Sequence, residues 1–75
     1  MKLHLRKFCP IDRPYPIYEA CRDGIAIFDI SRSDDDLYDI AINPTAEGCI
    51  VPLDDFLEVV ARAKAMLAAE DGTEP

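Results

Sequence analysis

The sequence holds one histidine, His4, and three glycines, at positions 24, 48 and 72. Nucleophilic or acid–base catalysis asks for a nucleophile with an adjacent base, or for paired acids held in a pocket. A single imidazole in a β-like segment offers little toward either. The glycines are isolated, each where a turn or a helix end would use it, so there is no Gly-rich phosphate loop. None of G-x-S-x-G, H-E-x-x-H or the P-loop pattern occurs. A chain of 75 residues also encloses little volume for a small-molecule pocket of roughly 300 Å³ or more. The chain therefore reads as a non-enzyme without a cofactor.

Long apolar runs are missing too. Nothing approaches the roughly 18 consecutive apolar residues that span a membrane, so no membrane association is expected. The opening MKLHLRKF has basic residues but no apolar core and does not read as a secretory signal. A reducing, cytoplasmic location is the expectation. The three cysteines, Cys9, Cys21 and Cys49, are odd in number and cannot all pair internally. They are scattered, whereas zinc ligands come in close local pairs. A Cys₃His set with His4 would need the fold to gather all four, so no metal site is expected. Cys21 and Cys49 lie in apolar surroundings and read as small core residues. Cys9, before Pro10, reads as the exposed thiol.

What is present is a globular composition, 49% hydrophobic and 31% charged, with a net charge of −7 that is unevenly spread. Residues 1–22 carry Lys2, Arg6, Lys7, Arg13 and Arg22 against Asp12 and Glu19, a net +3. Residues 23–75 carry Arg32, Arg62 and Lys64 against thirteen acids, a net −10. Such asymmetry bears on partners and steering rather than on fold.

The pattern predicts an α+β domain: an antiparallel β-meander of four to five strands, then one C-terminal α-helix on one sheet face. Residues 1–16 form a basic, proline-containing arm, 17–52 the meander, 53–71 the helix and 72–75 a tail. Leu3 and Leu5 alternate with His4 and Arg6 as in a half-exposed strand. Pro10, Pro14 and Pro16 then make a loop or an edge. IYEACR and IAIFDIS flank Asp23-Gly24, a strong hairpin signal because a type I′ turn needs positive φ at both positions. Ala26, Phe28 and Ile30 share one strand face, and Ile25, Ile27 and Asp29 the other. SRSDDD reads as a polar loop. LYDIAIN alternates Tyr38, Ile40 and Ile42 against Asp39 and Asn43, and CIV, at 49–51, is a short run ending at Pro52 that would make the fifth strand. In the helix, Phe56, Val59, Val60, Ala63 and Leu67 form one apolar stripe, expected to cover Phe28, Ile30, Ile40 and Ile42. Asp54 and Asp55 stand at its start, where the dipole favours acids and an Asp can cap free N–H groups. Ala61, Ala65 and Ala69 line its outer side, where alanine either serves helix propensity or gives a close-packing surface for a second helix.

Two surfaces are candidates for function. Asp29, Asp34, Asp35, Asp36 and Asp39 form an acidic patch. An EF-hand register fails there, since Asp34 would stand at the turn glycine and Ile40 at the bidentate Glu. The patch is either a solvated hairpin tip or the contact for a basic protein partner, in the sharpest version as a mimic of nucleic-acid phosphates on an inhibitor or immunity-type protein. The second surface is the arm, where Lys2, Arg6, Lys7 and Arg13 lie near Phe8, Tyr15 and Tyr18. Basic residues among aromatics are one signature of single-strand binding. The order of four strands and a helix also resembles the family of transcriptional coactivators that bind single-stranded DNA as dimers. That resemblance implies nucleic-acid binding, but the net −10 of the body opposes it. A small domain with an open sheet gains by covering an edge or face with a second copy, so a homodimer is expected.

Overall fold

The computed structural model describes residues 3–34, 37–44 and 48–70. The fold is α+β. Four strands, β1 (His4–Phe8), β2 (Ile17–Arg22), β3 (Ile25–Asp34) and β4 (Leu37–Ile42), precede one helix, α1 (Leu53–Ala68). The strands form one antiparallel sheet in the order β1-β2-β3-β4, so β1 and β4 are its two edges. Among the described residues, no helix is long and apolar enough to cross a membrane.

The β2–β3 connection follows the sequence reading. Asp23 has φ of 56° and Gly24 of 80°, the two positive values that a two-residue I′ hairpin demands. Strict alternation then fails at one point. Between the pairs Ala20–Phe28 and Cys21–Ala26, β3 contributes one residue more than β2. The extra residue is Ile27. A bulge of this kind re-aims a side chain, and consecutive Ile27 and Phe28 both enter the core. The expectation that Ile27 shares the outer face with Asp29 is corrected accordingly.

Two further expectations are corrected in the meander. The segment read as a polar loop is strand as far as Asp34, with a second irregularity between Arg32 and Asp34. Pairing of Ser31 with Asp39 and of Arg32 with Tyr38 extends the hairpin, because alternating polar residues fit a sheet with one open face. Residues 49–51 form no strand; instead, the Arg22 guanidinium donates to the Ile50 carbonyl at 2.9 Å and to Cys49 Sγ at 3.5 Å. Pro52 directly after them lacks the N–H that a longer ladder would use.

The helix begins with Phe56 N–H donating to the Pro52 carbonyl at 3.0 Å. Asp54 and Asp55 lie in its first turn, but no side chain caps it. Val59, Ala63 and Leu67 are buried, with Phe56, Val60 and Met66 packed around them. They meet Leu3, Tyr18, Ala20, Ile27, Phe28 and Ile30, and the rings of Phe28 and Phe56 lie 5.2 Å apart, within the range of a favourable aromatic pair.

The helix does not cover the whole face assigned to it. It packs chiefly on β3 and β1. Ile40 stays 47% exposed and Ile42 62%. The reason lies at the helix C-terminus. Arg32 of β3 donates to the carbonyls of Leu67 (3.0 Å) and Glu70 (3.3 Å). Lys7 of β1 and the hydroxyl of Tyr18 on β2 both reach the Glu70 carboxylate, at 3.2 and 3.4 Å. Three strands thus hold one helix end, away from β4. A cation is favoured at that end by the helix dipole, and α1 has no basic residue of its own in its last turn.

This clamp is testable. Arg32 also stacks its guanidinium on Tyr15, 4.4 Å from the ring centroid. Hydrogen bonds to charged groups contribute about 1.5–3 kcal/mol and cation–π contacts about 0.5–1. Arg32→Met keeps the apolar stem and loses both, so it should cost about 2 kcal/mol in urea unfolding, on the order of 10 °C in Tm for a domain this size. Arg32→Lys should recover only part, because an ammonium lacks the planar fork. A loss below about 0.5 kcal/mol for Arg32→Met would show that the clamp is idle.

Candidate interaction surfaces

The register sorts every candidate residue onto a face. On the side away from α1, one row across the sheet runs Phe8, Ile17, Ser31, Asp39 and the next runs Arg6, Glu19, Asp29, Ala41. On the α1 side the rows are Lys7, Tyr18, Ile30, Ile40 and Leu5, Ala20, Phe28, Ile42.

The acidic patch is divided. Asp29 and Asp39 share the open face, in adjacent rows. Asp34 ends β3 opposite Leu37. Asp35 and Asp36 lie outside the described residues. Glu19, which enters the sequence reading only in the charge balance of residues 1–22, is brought directly beside Asp29 by β2–β3 pairing. No local signal in the sequence marks this; it follows from the hairpin register.

Asp29 is the unusual member. It is half-buried on a central strand, its Oδ1 is fully enclosed, and that atom has no hydrogen-bond partner among the described residues. The one cation in its row, Arg6, is engaged by Glu19, with guanidinium nitrogens 2.8 and 2.9 Å from the carboxylate. Burial raises the Asp29 pKa above its ordinary value, and neighbouring Glu19 raises it further. Removing a carboxylate from water without a partner disfavours its charged form.

The basic arm forms no continuous stripe. Lys2 is outside the described residues. Arg6 and Lys7 are neighbours in β1 and point to opposite faces, as strand residues must. Arg6 is paired with Glu19 and Lys7 with Glu70, and the hydrogen bond from Lys7 to Glu70 holds the ammonium pKa above its ordinary value. Phe8 lies on the outer face, 56% exposed. Arg13 is in the proline loop, where with Lys7, Cys9, Tyr15 and Glu70 it lines a recess of about 120 Å³. Tyr18 is turned inward, and burial raises its pKa.

The cysteines stay apart. Cys9 is exposed and Cys21 is buried, with its Sγ 3.9 Å from the Glu19 carbonyl. Cys49, read as a core residue, is exposed, because the segment that carries it does not join the sheet. Among the described residues no three His, Cys, Asp or Glu side chains stand close enough to hold a metal ion.

Sequence reasoning missed an apolar groove beside α1. Ile30, Tyr38, Ile40, Phe56, Val60 and Lys64 line an open volume of about 260 Å³. Leu53 and Leu57, 68% and 53% exposed, extend the apolar flank of the helix toward it. A signal was present, since Leu53 and Leu57 fall outside the stripe that meets the core and have no partner in it.

Asp29 yields a pH prediction. In the unfolded chain its carboxyl titrates at the ordinary value of 3.8, and in the fold it titrates higher. Between the two pH values the folded state binds more protons, so this group makes stability fall as pH rises through that window. Asp29→Asn removes the contribution. Urea titrations should find the variant no less stable than the parent at pH 7, with a shallower decline of stability just above pH 3.8. A clear loss of stability at neutral pH would mean that the carboxylate has a stabilising partner after all.

No family model, curated protein or solved structure matches this chain, so the resemblance to the coactivators remains one of element order alone.

Proposed function

We propose that this chain is a non-enzymatic protein–protein interaction module that meets a basic partner through the outer face of its sheet, and that it works as a homodimer. The observation that supports the reading is Asp29: a carboxylate on a central strand, with one oxygen enclosed and unpartnered and Glu19 and Asp39 beside it. Asp29 is only half-buried, and a cation brought by a partner to its accessible side would offset the cost of holding that charge. Charge-assisted hydrogen bonds to such a carboxylate are roughly twice as strong as neutral ones. The net charge of −7 would steer a basic surface toward it.

The site is small for a mimic of a phosphate array. Asp29, Asp39 and Glu19 form a compact cluster in two adjacent rows, and Arg6 already engages Glu19. A patch that accepts one or two Arg or Lys side chains fits this arrangement better than one that replaces a run of phosphates. Single-strand binding is less well supported by the geometry, because Arg6 and Lys7 face opposite ways and both are paired. Phosphate contact would have to break those ion pairs first.

The test is capture from host lysate on immobilised parent and on the Asp29→Asn, Asp39→Asn double variant, eluted in steps of salt. Both positions are on the face away from α1 and asparagine is nearly isosteric with aspartate, so the fold should tolerate the changes. The parent should retain a basic protein that elutes at high salt and that the variant fails to hold. Labelled single-stranded oligonucleotides followed by fluorescence anisotropy should show no binding at low salt. Equal retention on both proteins, or oligonucleotide binding that Arg6→Gln and Lys7→Gln abolish, would overturn the reading.

A further inference from the structure

The two edges of the sheet differ. β1 presents His4, Arg6 and Lys7 and is followed by Pro10, the kind of charged and proline-flanked edge that discourages pairing. β4, Leu-Tyr-Asp-Ile-Ala-Ile, has one charge and no proline. Its backbone can be read in detail. Asn43 N–H donates to the Ile27 carbonyl at 2.8 Å. Inward and outward groups alternate along an antiparallel strand, so Asp39 and Ala41 turn their N–H and C=O toward β3. Tyr38, Ile40 and Ile42 turn theirs to the open edge. These three are also the residues whose side chains lie on the α1 side, where Ile40 and Ile42 are left exposed.

We infer that this edge pairs with the β4 edge of a second copy, antiparallel about a twofold axis at Ile40, joining two sheets into one of eight strands. The inference rests on the homodimer reading and gives it a surface. The strand is self-complementary about Ile40. Ile40 meets Ile40 of the second copy, Tyr38 meets Ile42, and all three present free N–H and C=O groups, giving about six new backbone hydrogen bonds. Asp39 then stands opposite Ala41. An axis at Asp39 would set two like charges directly opposite each other, which is destabilising. The α1 side agrees. The β3 strands of the two copies would lie about 14 Å apart across the β4 pair, little more than the 10–12 Å diameter of a helix with its side chains. α1 packs on β1 as well as β3, so it is the Leu53, Leu57 and Val60 flank on the β4 side of each helix that turns toward the exposed isoleucines and toward its counterpart.

A second copy is favoured over a peptide strand by this symmetry and by the groove itself. Among the described residues its lining offers a partner strand few polar side-chain groups, the Lys64 ammonium and the Tyr38 hydroxyl, whereas the copy brings an apolar helix flank of its own. Each copy carries −7, so association should strengthen with added salt as repulsion is screened. That is opposite in sign to the salt dependence of the basic partner.

Sedimentation and amide hydrogen exchange on the full chain test the inference. The parent should sediment at twice 8.4 kDa in high salt at high concentration. The amides of Tyr38, Ile40 and Ile42 should be protected there and unprotected in dilute, low-salt samples. Ile42→Lys, at a site 62% exposed, should fall to the monomer mass with an unchanged circular dichroism spectrum, and Phe8→Lys on the opposite edge should remain a dimer. A parent that stays monomeric throughout would overturn both the homodimer reading and this interface. A dimer in which the three amides exchange freely would overturn the interface alone, whether or not the Ile42 variant folds.

Discussion

The arrangement of this domain depends on how the C-terminal end of its helix is held. A helix leaves its last four carbonyls without intrahelical donors, and α1 has no basic residue of its own in its last turn. Arg32 supplies the missing charge from the sheet by donating to Leu67 and Glu70. Lys7 and Tyr18 fix the Glu70 carboxylate from two other strands. Because all three anchors lie on β1, β2 and β3, the helix settles over that part of the sheet. The exposure of Ile40 and Ile42 is the direct consequence, and the groove beside the helix follows from it.

The same clamp organises the charges. It engages Lys7 internally, while on the other face Arg6 is engaged by Glu19. Arg22 and Arg62 are likewise turned to protein groups, and Lys64 lies over the Tyr38 ring. The basic arm of the sequence thus becomes a set of structural contacts, and the carboxylates of the outer face keep most of their field. Asp29 is the extreme case, with an oxygen enclosed beside another acid. A local arrangement that lowers stability without an internal compensation is the kind found at functional sites.

Much of the fold was legible because it rests on short-range rules. Asp23-Gly24 announced its hairpin, since few other pairs accept two positive φ values. The stripe Val59, Ala63, Leu67 announced which side of the helix is buried. Misreadings arose where non-local contacts decide. The bulge that turns Ile27 inward is set by the partner strand, and a period-two reading cannot contain it. The strand character of Ser31–Asp34 comes from pairing with β4, which overrides a polar composition. The helix's position over the sheet depends on Arg32 meeting carbonyls about 35 residues later, and no periodicity encodes that meeting. Of the candidate site, the sequence located Asp29 and Asp39 but not their neighbour Glu19, whose place comes only from register.

The central claim is therefore the position of the helix, and methyl-resolved NMR of a dilute, low-salt sample measures it most directly. Methyl contacts should run strongly from Ile30 and Ile27 to Val59, Ala63 and Leu67. From Ile42 to the helix they should be absent. Dense contacts from Ile42 to Leu53 and Val60 under those conditions would place the helix over β4, close the groove and contradict the account.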